Sequence, residues 1–232
     1  MAAVQDYIED FVALFFPELC AGCGACLFKN EQHICTNCIY HLPLTNFHRD
    51  PLNKAARQLW GRLQFEQASS YVYFRKDGRV RNIMHQLKYN KNTRAGFRMG
   101  QLYAYTLSGS GDWKMPDLII PVPLHPSKLR KRGYNQSAHI ADGMASVLDI
   151  PVITDTLLRV KNTLTQTKRS RFARYENLRT AFICRDTARL INKHVLLVDD
   201  VMTTGATLEA AGTVLLEIPG LVLSIATIAY TE

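Results

Sequence analysis

No glycine in this 232-residue chain is followed by lysine, so the G-x-x-x-x-G-K-[ST] phosphate loop of P-loop nucleotidases is excluded. Long apolar runs are missing too. None approaches the roughly 18 residues of a membrane helix, and no membrane span is expected. Acidic residues are scarce where basic ones gather. Residues 75–105 carry eight Lys and Arg against Asp77 alone, and residues 159–185 carry eight against Glu176 alone. Such imbalance favours a polyanionic ligand. There is no internal repeat or low-complexity tract, which leaves an ordinary globular composition. The opening stretch, MAAVQDYIEDFVALFFPEL, has no basic flank before its apolar part and does not read as a secretory signal. The six cysteines are therefore expected in a reducing cytoplasm, as metal thiolates or buried thiols. Val4, Tyr7, Ile8, Phe11, Leu14 and Phe15 share one helical face, which predicts an amphipathic helix over 1–16 that docks on the body or on a partner.

The most informative segment is VLLVDDVMTTGAT, residues 195–207. Four apolar residues, Val195 to Val198, predict a buried parallel strand. Spacing of three to four after Thr207 (Leu208, Ala211, Leu215) predicts a helix over 207–217. Asp199 and Asp200 then fall at the strand's carboxyl end, where open α/β sheets bind ligands. A Thr/Gly loop at a helix N-terminus can cradle a phosphate with its N–H groups and hydroxyls. Two acids beside such a cradle need another client. Vicinal sugar hydroxyls, or a magnesium ion bridging to them, suit them. The segment resembles the PRPP-binding signature of type I phosphoribosyltransferases. That resemblance implies that Asp199 and Asp200 bind the ribose hydroxyls, and that Val201, Met202, Thr203, Thr204, Gly205, Ala206 and Thr207 form the 5-phosphate loop.

Five cysteines lie between positions 20 and 38. The pairs Cys20/Cys23 and Cys35/Cys38 have the spacing of a tetrahedral thiolate zinc site. Gly22 and Gly24 favour the first pair, leaving Cys26, His33 and His41 as spectators. Four thiolates leave no open position, so the zinc is expected to be structural. The division expected from this reading is a helix over 1–16, a zinc head over 17–42, connecting strand and basic helices forming a hood over 43–112, and an α/β body over 113–232. In the hood, Ser70 to Phe74 alternates as a strand. Val80, Ile83, Met84 and Leu87 mark a helix face, and Thr93 is placed to cap a second helix through Leu107. In the body, Leu118–Val122 reads as a strand and Asn135–Leu148 as a helix burying Ala138, Ala141, Met144, Ala145 and Leu148. A short strand near Val152 and a last one over Leu221–Tyr230 complete a parallel sheet of βαβ units.

Two basic segments suit the same site. A loop with His125, Lys128, Arg130, Lys131 and Arg132 follows a strand end and fits a pyrophosphate. In 159–182 no clean period is visible, and a loop is expected there whose Arg171 and Arg174 close over the ligand. Arg79, Arg81, Lys88 and Lys91, with Tyr71, Tyr73, Phe74, Tyr89, Phe97, Phe172 and Tyr175 in or beside the basic segments, suit single-stranded nucleic acid by backbone tracking and base stacking.

Taken in order, the paired cysteines, Leu87-Lys88-Tyr89, PVPL, Arg132-Gly133-Tyr134-Asn135-Gln136, then Arg159, Thr163, Gln166, Arg171, Arg174, Asn177 and Ala181-Phe182, and the acidic segment resemble the ComF family over nearly the whole chain. The resemblance implies a zinc-finger head on a phosphoribosyltransferase-like body and a role in handling single-stranded DNA during natural transformation. It also implies PRPP with magnesium as ligand, and a partner in the competence machinery or a second copy of the chain. The alternative is a small-molecule phosphoribosyltransferase with no DNA role. Neither reading identifies an acceptor.

Overall fold

A computed structural model describes residues 16–75, 78–90, 92–161 and 181–232. The helix expected over 1–16 therefore lies outside the described residues except for Phe16, and Lys91, Arg171 and Arg174 lie outside them altogether. The main sheet has four parallel strands in the order β1 (Gln67–Phe74), β6 (Val222–Thr231), β5 (His194–Met202) and β2 (Leu118–Pro121). The strand expected near Val152 is a single parallel bridge to Ile119. Between β2 and β5 the described chain adds a small antiparallel pair, β3 (Leu157–Arg159) and β4 (Phe182–Cys184).

Alternation along the strands sends apolar side chains to both faces, and each face is covered. On one side, α3 (Arg79–Tyr89), α4 (Thr93–Ser108) and α6 (Gln136–Leu148) pack with Leu196, Val198 and Ile228. On the other, α2 (Lys54–Leu59) and α7 (Ala206–Leu215) pack with Val195, Leu197 and Ile225. The cysteine segment with its short helix α1 (Thr36–Tyr40) is no separate bead. Cys20, Ile34, Cys35 and Cys38 are buried in the same apolar cluster as Val80, Ile83 and Leu87 of α3.

Several expectations shift. β1 starts at Gln67 and is a strand of the main sheet beside β6, so the segment over 43–112 supplies part of the body as well as its hood. β5 does not stop at Val198. Its ladder with β6 continues to Met202 opposite Tyr230, which puts both acids inside the strand. The basic stretch after Pro123 is a helix rather than a loop: α5 (Pro126–Arg132), with Pro126 in the first turn, His125 accepting from the Ser127 N–H, and Gly133 closing it at φ +85°. Asn92, not Thr93, caps α4. On α6 the buried face is Gln136, Ser137, Ile140, Ala141, Gly143 and Met144; Ala138, Ala145 and Leu148 are only half-buried. That rotation turns two polar residues of the first turn inward, which only a polar client at the strand end can satisfy. Among the described residues no helix is long and apolar enough to cross a membrane.

Candidate functional site

Because β5 runs through the acidic pair, its two carboxylates leave the strand on opposite faces. Asp200 continues the face of Leu196 and Val198, toward α3. Asp199 continues the face of Val195 and Leu197. The first turn of α6 lies over this end of the strand and reaches both. Gln136 Nε2 donates to Asp200 Oδ2 at 3.1 Å, and Ser137 Oγ donates to Asp199 Oδ1 at 2.9 Å. Asn135 caps that turn, accepting from the Ser137 N–H at 3.2 Å, while its Nδ2 donates to the Val122 carbonyl at 3.0 Å. The end of β2 is thereby tied to the end of β5, and the acids sit in the crevice between the two.

Lys88, expected on a nucleic-acid surface, is found at the acids instead. Its Nζ lies 2.9 Å from Asp200 Oδ2, and the Asp200 side chain is only 8% exposed. Tyr134 donates its hydroxyl to the Leu87 carbonyl. Arg132 donates to Gln136 Oε1, and its guanidinium carbon lies over the Tyr89 ring, 6.0 Å from the centroid. Three fragments far apart in sequence (Leu87–Tyr89, Arg132–Gln136 and Asp199–Asp200) thus form one hydrogen-bonded unit. Burial, and then the charge of Asp200, push the Asp199 carboxyl up to about 7, against the opposing bonds from the Asp200 N–H and Ser137 and the charge of Lys88. A second set of cations stands close by. Partial burial, and then the charges of Arg159 and Arg132, hold the Lys128 ammonium below its ordinary range. Burial also lowers Arg159, and the charge of Asp199 opposes that shift. His125 spends its Nδ1 on capping α5 through Ser127.

The loop after β5 is held from behind by residues that the sequence did not flag. Gln58 donates to the Thr203 carbonyl, and Arg62 donates to the Thr204 carbonyl at 2.9 Å. Arg62 is itself fixed by Glu209, a buried acid of α7. With its carbonyls engaged there, the loop leads into the N-terminus of α7, whose first N–H groups have no partner within the helix. Among the described residues no acceptor is found for the N–H groups of Thr203, Thr204 or Gly205. Thr203 and Thr204 are exposed, Val201, Ala206 and Thr207 are half-buried, and Met202 belongs to the core rather than to the loop. Gly205 has φ +73°, and a Cβ there would stand 2.9 Å from Leu59 Cδ2. Its requirement is thus both conformational and steric, set by α2 at its back.

The basic surface is less unified than the sequence implies. Arg79 lies at the start of α3 beside the cysteine head, Arg81 is exposed, and Lys88 is at the far end of the same helix on the acids. Of the aromatics, Tyr71 is buried and stacked on Tyr103 at 5.1 Å, and Tyr73 packs against Phe47 and Tyr230. Tyr89 alone of the three is largely exposed, at 67%.

In the head, Cys20, Cys23, Cys35 and Cys38 offer sulfurs that all lie within 4.8 Å of one another, with Cys23 and Cys35 at 3.7 Å. A regular ZnS4 tetrahedron with bonds of about 2.3 Å has sulfurs about 3.8 Å apart. N–H groups of Gly22 and Cys35 point at Cys20 Sγ at 3.3 and 3.2 Å, and that of Cys38 at Cys35 Sγ at 3.4 Å. Burial resists ionisation of Cys20, but N–H donors from Cys35, Cys23 and Gly22 outweigh it and bring the thiol down to about 7. Burial pushes Cys38 up. Cys26 is exposed and outside the cluster. The donor set fits a structural zinc with no position left open for substrate.

Residues 135–231 match the family model for a phosphoribosyl transferase domain. Competence protein F of Haemophilus influenzae is 41% identical over 97 residues, which cover 41% of this chain and 42% of that protein. The DNA utilization protein YhgH of Salmonella typhimurium is 31% identical over 137 residues, covering 58% of this chain and 60% of the relative. The matched stretches thus span from about two fifths to three fifths of these relatives' length. Among solved structures, a glutamine PRPP amidotransferase from B. subtilis is similar at 18% identity with a TM-score of 0.41, over 62% of this chain and 30% of that one. The fold is that of the type I phosphoribosyltransferases, a parallel sheet flanked by helices.

Proposed function

We propose that this chain is a member of the ComF family, that it binds a phosphorylated ribose of the PRPP type and that it works in the handling of single-stranded DNA. The observation that carries the first half is the convergence of Lys88, Gln136 and Ser137 on Asp199 and Asp200, with Arg132 bonded to Gln136 behind them, at the carboxyl end of the sheet. In this reading the acids accept from the ribose hydroxyls. The loop Thr203–Thr207 takes the 5-phosphate on its N–H groups and hydroxyls. Lys128, Arg132 and Arg159 face the diphosphate, and Arg171 and Arg174 are expected to join them. Magnesium was expected to bridge the acids to the sugar. As the side chains stand, Asp200 Oδ2 already holds Lys88 and Gln136, so that oxygen offers a magnesium ion no position. Zinc in the four-cysteine head is structural, and a reducing, cytoplasmic setting agrees with thiolate ligands.

The DNA half rests on the relatives' names and on the basic start of α3. A small-molecule phosphoribosyltransferase is the competing reading, and the exposed ring of Tyr89, against Arg132, is the feature that would serve an acceptor in it. Calorimetric titration of PRPP decides the ligand. Wild type should bind, and the Asp199→Asn/Asp200→Asn double variant should bind at least about tenfold more weakly, a loss of about 1.4 kcal/mol. Equal affinity in the two proteins would overturn the assignment.

A further inference from the structure

We propose that Lys88 is the resident counter-ion of the acidic pair, so that a phosphorylated ribose diphosphate is bound with no divalent metal on the aspartates. The inference rests on reading this site as a phosphoribosyl site. A divalent ion such as magnesium would have to approach Asp200 to about 2.0–2.1 Å and surround itself with an octahedron of oxygens. Asp200 Oδ2 already has two donors, with Lys88 Nζ 2.9 Å away and Gln136 Nε2 3.1 Å away, so an ion could reach this carboxylate only through Oδ1, next to the ammonium. An ion placed there would face an ammonium across a single carboxylate, in a pocket where screening by water is poor. Asp199 Oδ1 likewise has two donors, Ser137 and the Asp200 N–H, which leaves one oxygen of each acid to accept from the ribose hydroxyls.

Lys88 is also well placed to stay. Val80, Ile83, Met84 and Leu87 anchor its helix in the core, and the preceding carbonyl is held by Tyr134. The lysine side chain is 27% exposed; its ammonium is held by Asp200, and its charge also acts on Asp199. A divalent ion at such a site would otherwise have two tasks, neutralising the acids and neutralising the diphosphate. Lys88 performs the first, while Lys128, Arg132 and Arg159 stand grouped for the second.

The test is PRPP titration by calorimetry in magnesium buffer and again in EDTA, on wild type, Lys88→Met and Lys88→Arg. Wild type and Lys88→Arg should lose less than about threefold on removing magnesium, and Lys88→Met about tenfold or more. With PRPP absent, the electron paramagnetic resonance of Mn2+ should reveal an ion site in Lys88→Met and none in wild type. A hundredfold loss for wild type in EDTA overturns the inference, even if Lys88→Met fails to fold. So does a Lys88→Met protein indifferent to magnesium. A wild type that binds PRPP in neither buffer defeats the phosphoribosyl reading itself.

Discussion

Gly143 lies so close to the Phe97 carbonyl that a Cβ would stand 2.0 Å from that oxygen. Gly100 faces the Ile140 carbonyl in the same manner, at 2.2 Å. Helices α4 and α6 therefore touch backbone to backbone, and the first turn of α6 delivers Gln136 and Ser137 to the acids. Gly143→Ala should cost about 1–3 kcal/mol, as overpacking usually does. Gly111→Ala, with open space around it, is the control and should melt like wild type in denaturant. If Gly143→Ala is as stable as that control, the tight contact has no energetic weight.

Asp199 should leave a signature in the pH dependence of stability. Its carboxyl is raised to about 7 by burial and by Asp200, so the folded state holds a proton that the unfolded chain releases near pH 4. Such a group weakens the fold as pH rises from about 4 through about 7. Asp199→Asn removes that slope and should raise the melting temperature at pH 8 while changing little at pH 4. Parallel melting curves for the two proteins at all pH values would show that Asp199 titrates normally.

Metal content separates the cysteines. Purified protein should carry one zinc, Cys38→Ser should release it, and Cys26→Ser should keep it, since Cys26 is exposed and outside the cluster. Structural zinc in isolated fingers is worth about 10–16 kcal/mol. Here the head shares a core with α3, so chelation should lower the melting temperature of the whole body. A chelated protein that melts unchanged would mean that the head is a detachable unit.

Gly205→Ala combines positive φ with a contact of 2.9 Å to Leu59 Cδ2. The conformational part alone costs about 1–2 kcal/mol. Leu59→Ala as background should relieve the steric part and leave the conformational one, a difference that a double-mutant cycle reads directly. Additivity in that cycle would sink the claim that α2 shapes the loop.

Single-stranded DNA should bind through phosphates, with a log–log salt slope of about −0.7 per phosphate neutralised. Arg79→Gln with Arg81→Gln should flatten the slope. Asp199→Asn should leave it alone, and PRPP should not compete. Binding that ignores salt would return these arginines to ordinary solvated surface.

The chemistry of this chain was written locally, and its assembly was not. Asp199, Asp200, the Thr/Gly loop and the paired cysteines were legible because each depends on neighbours within a few residues. The helix face of Val80, Ile83, Met84 and Leu87 was legible for the same reason. The length of β5 was not, since its last four residues are strand only because β6 pairs with them. Nor was α5, where basic residues hid a helix marked by Pro126 and Gly133. Gln58 and Arg62 reach the loop after β5 across about 145 positions, and no short-range pattern announces that. For Lys88 the sequence gives the sign of the side chain but not that it faces Asp200.

Helix α3 has a different meaning once both its ends are considered together. At one end Asn82 donates to the Gly22 carbonyl, and Gly22 lies where a Cβ would stand 2.9 Å from Cys38 Sγ and 3.6 Å from Arg79 Cβ. At the other end Lys88 holds Asp200. Eleven residues of α-helix make a stiff rod about 16 Å long. One stiff helix thus joins the cysteine head to the ammonium ion on the acids, about three turns away.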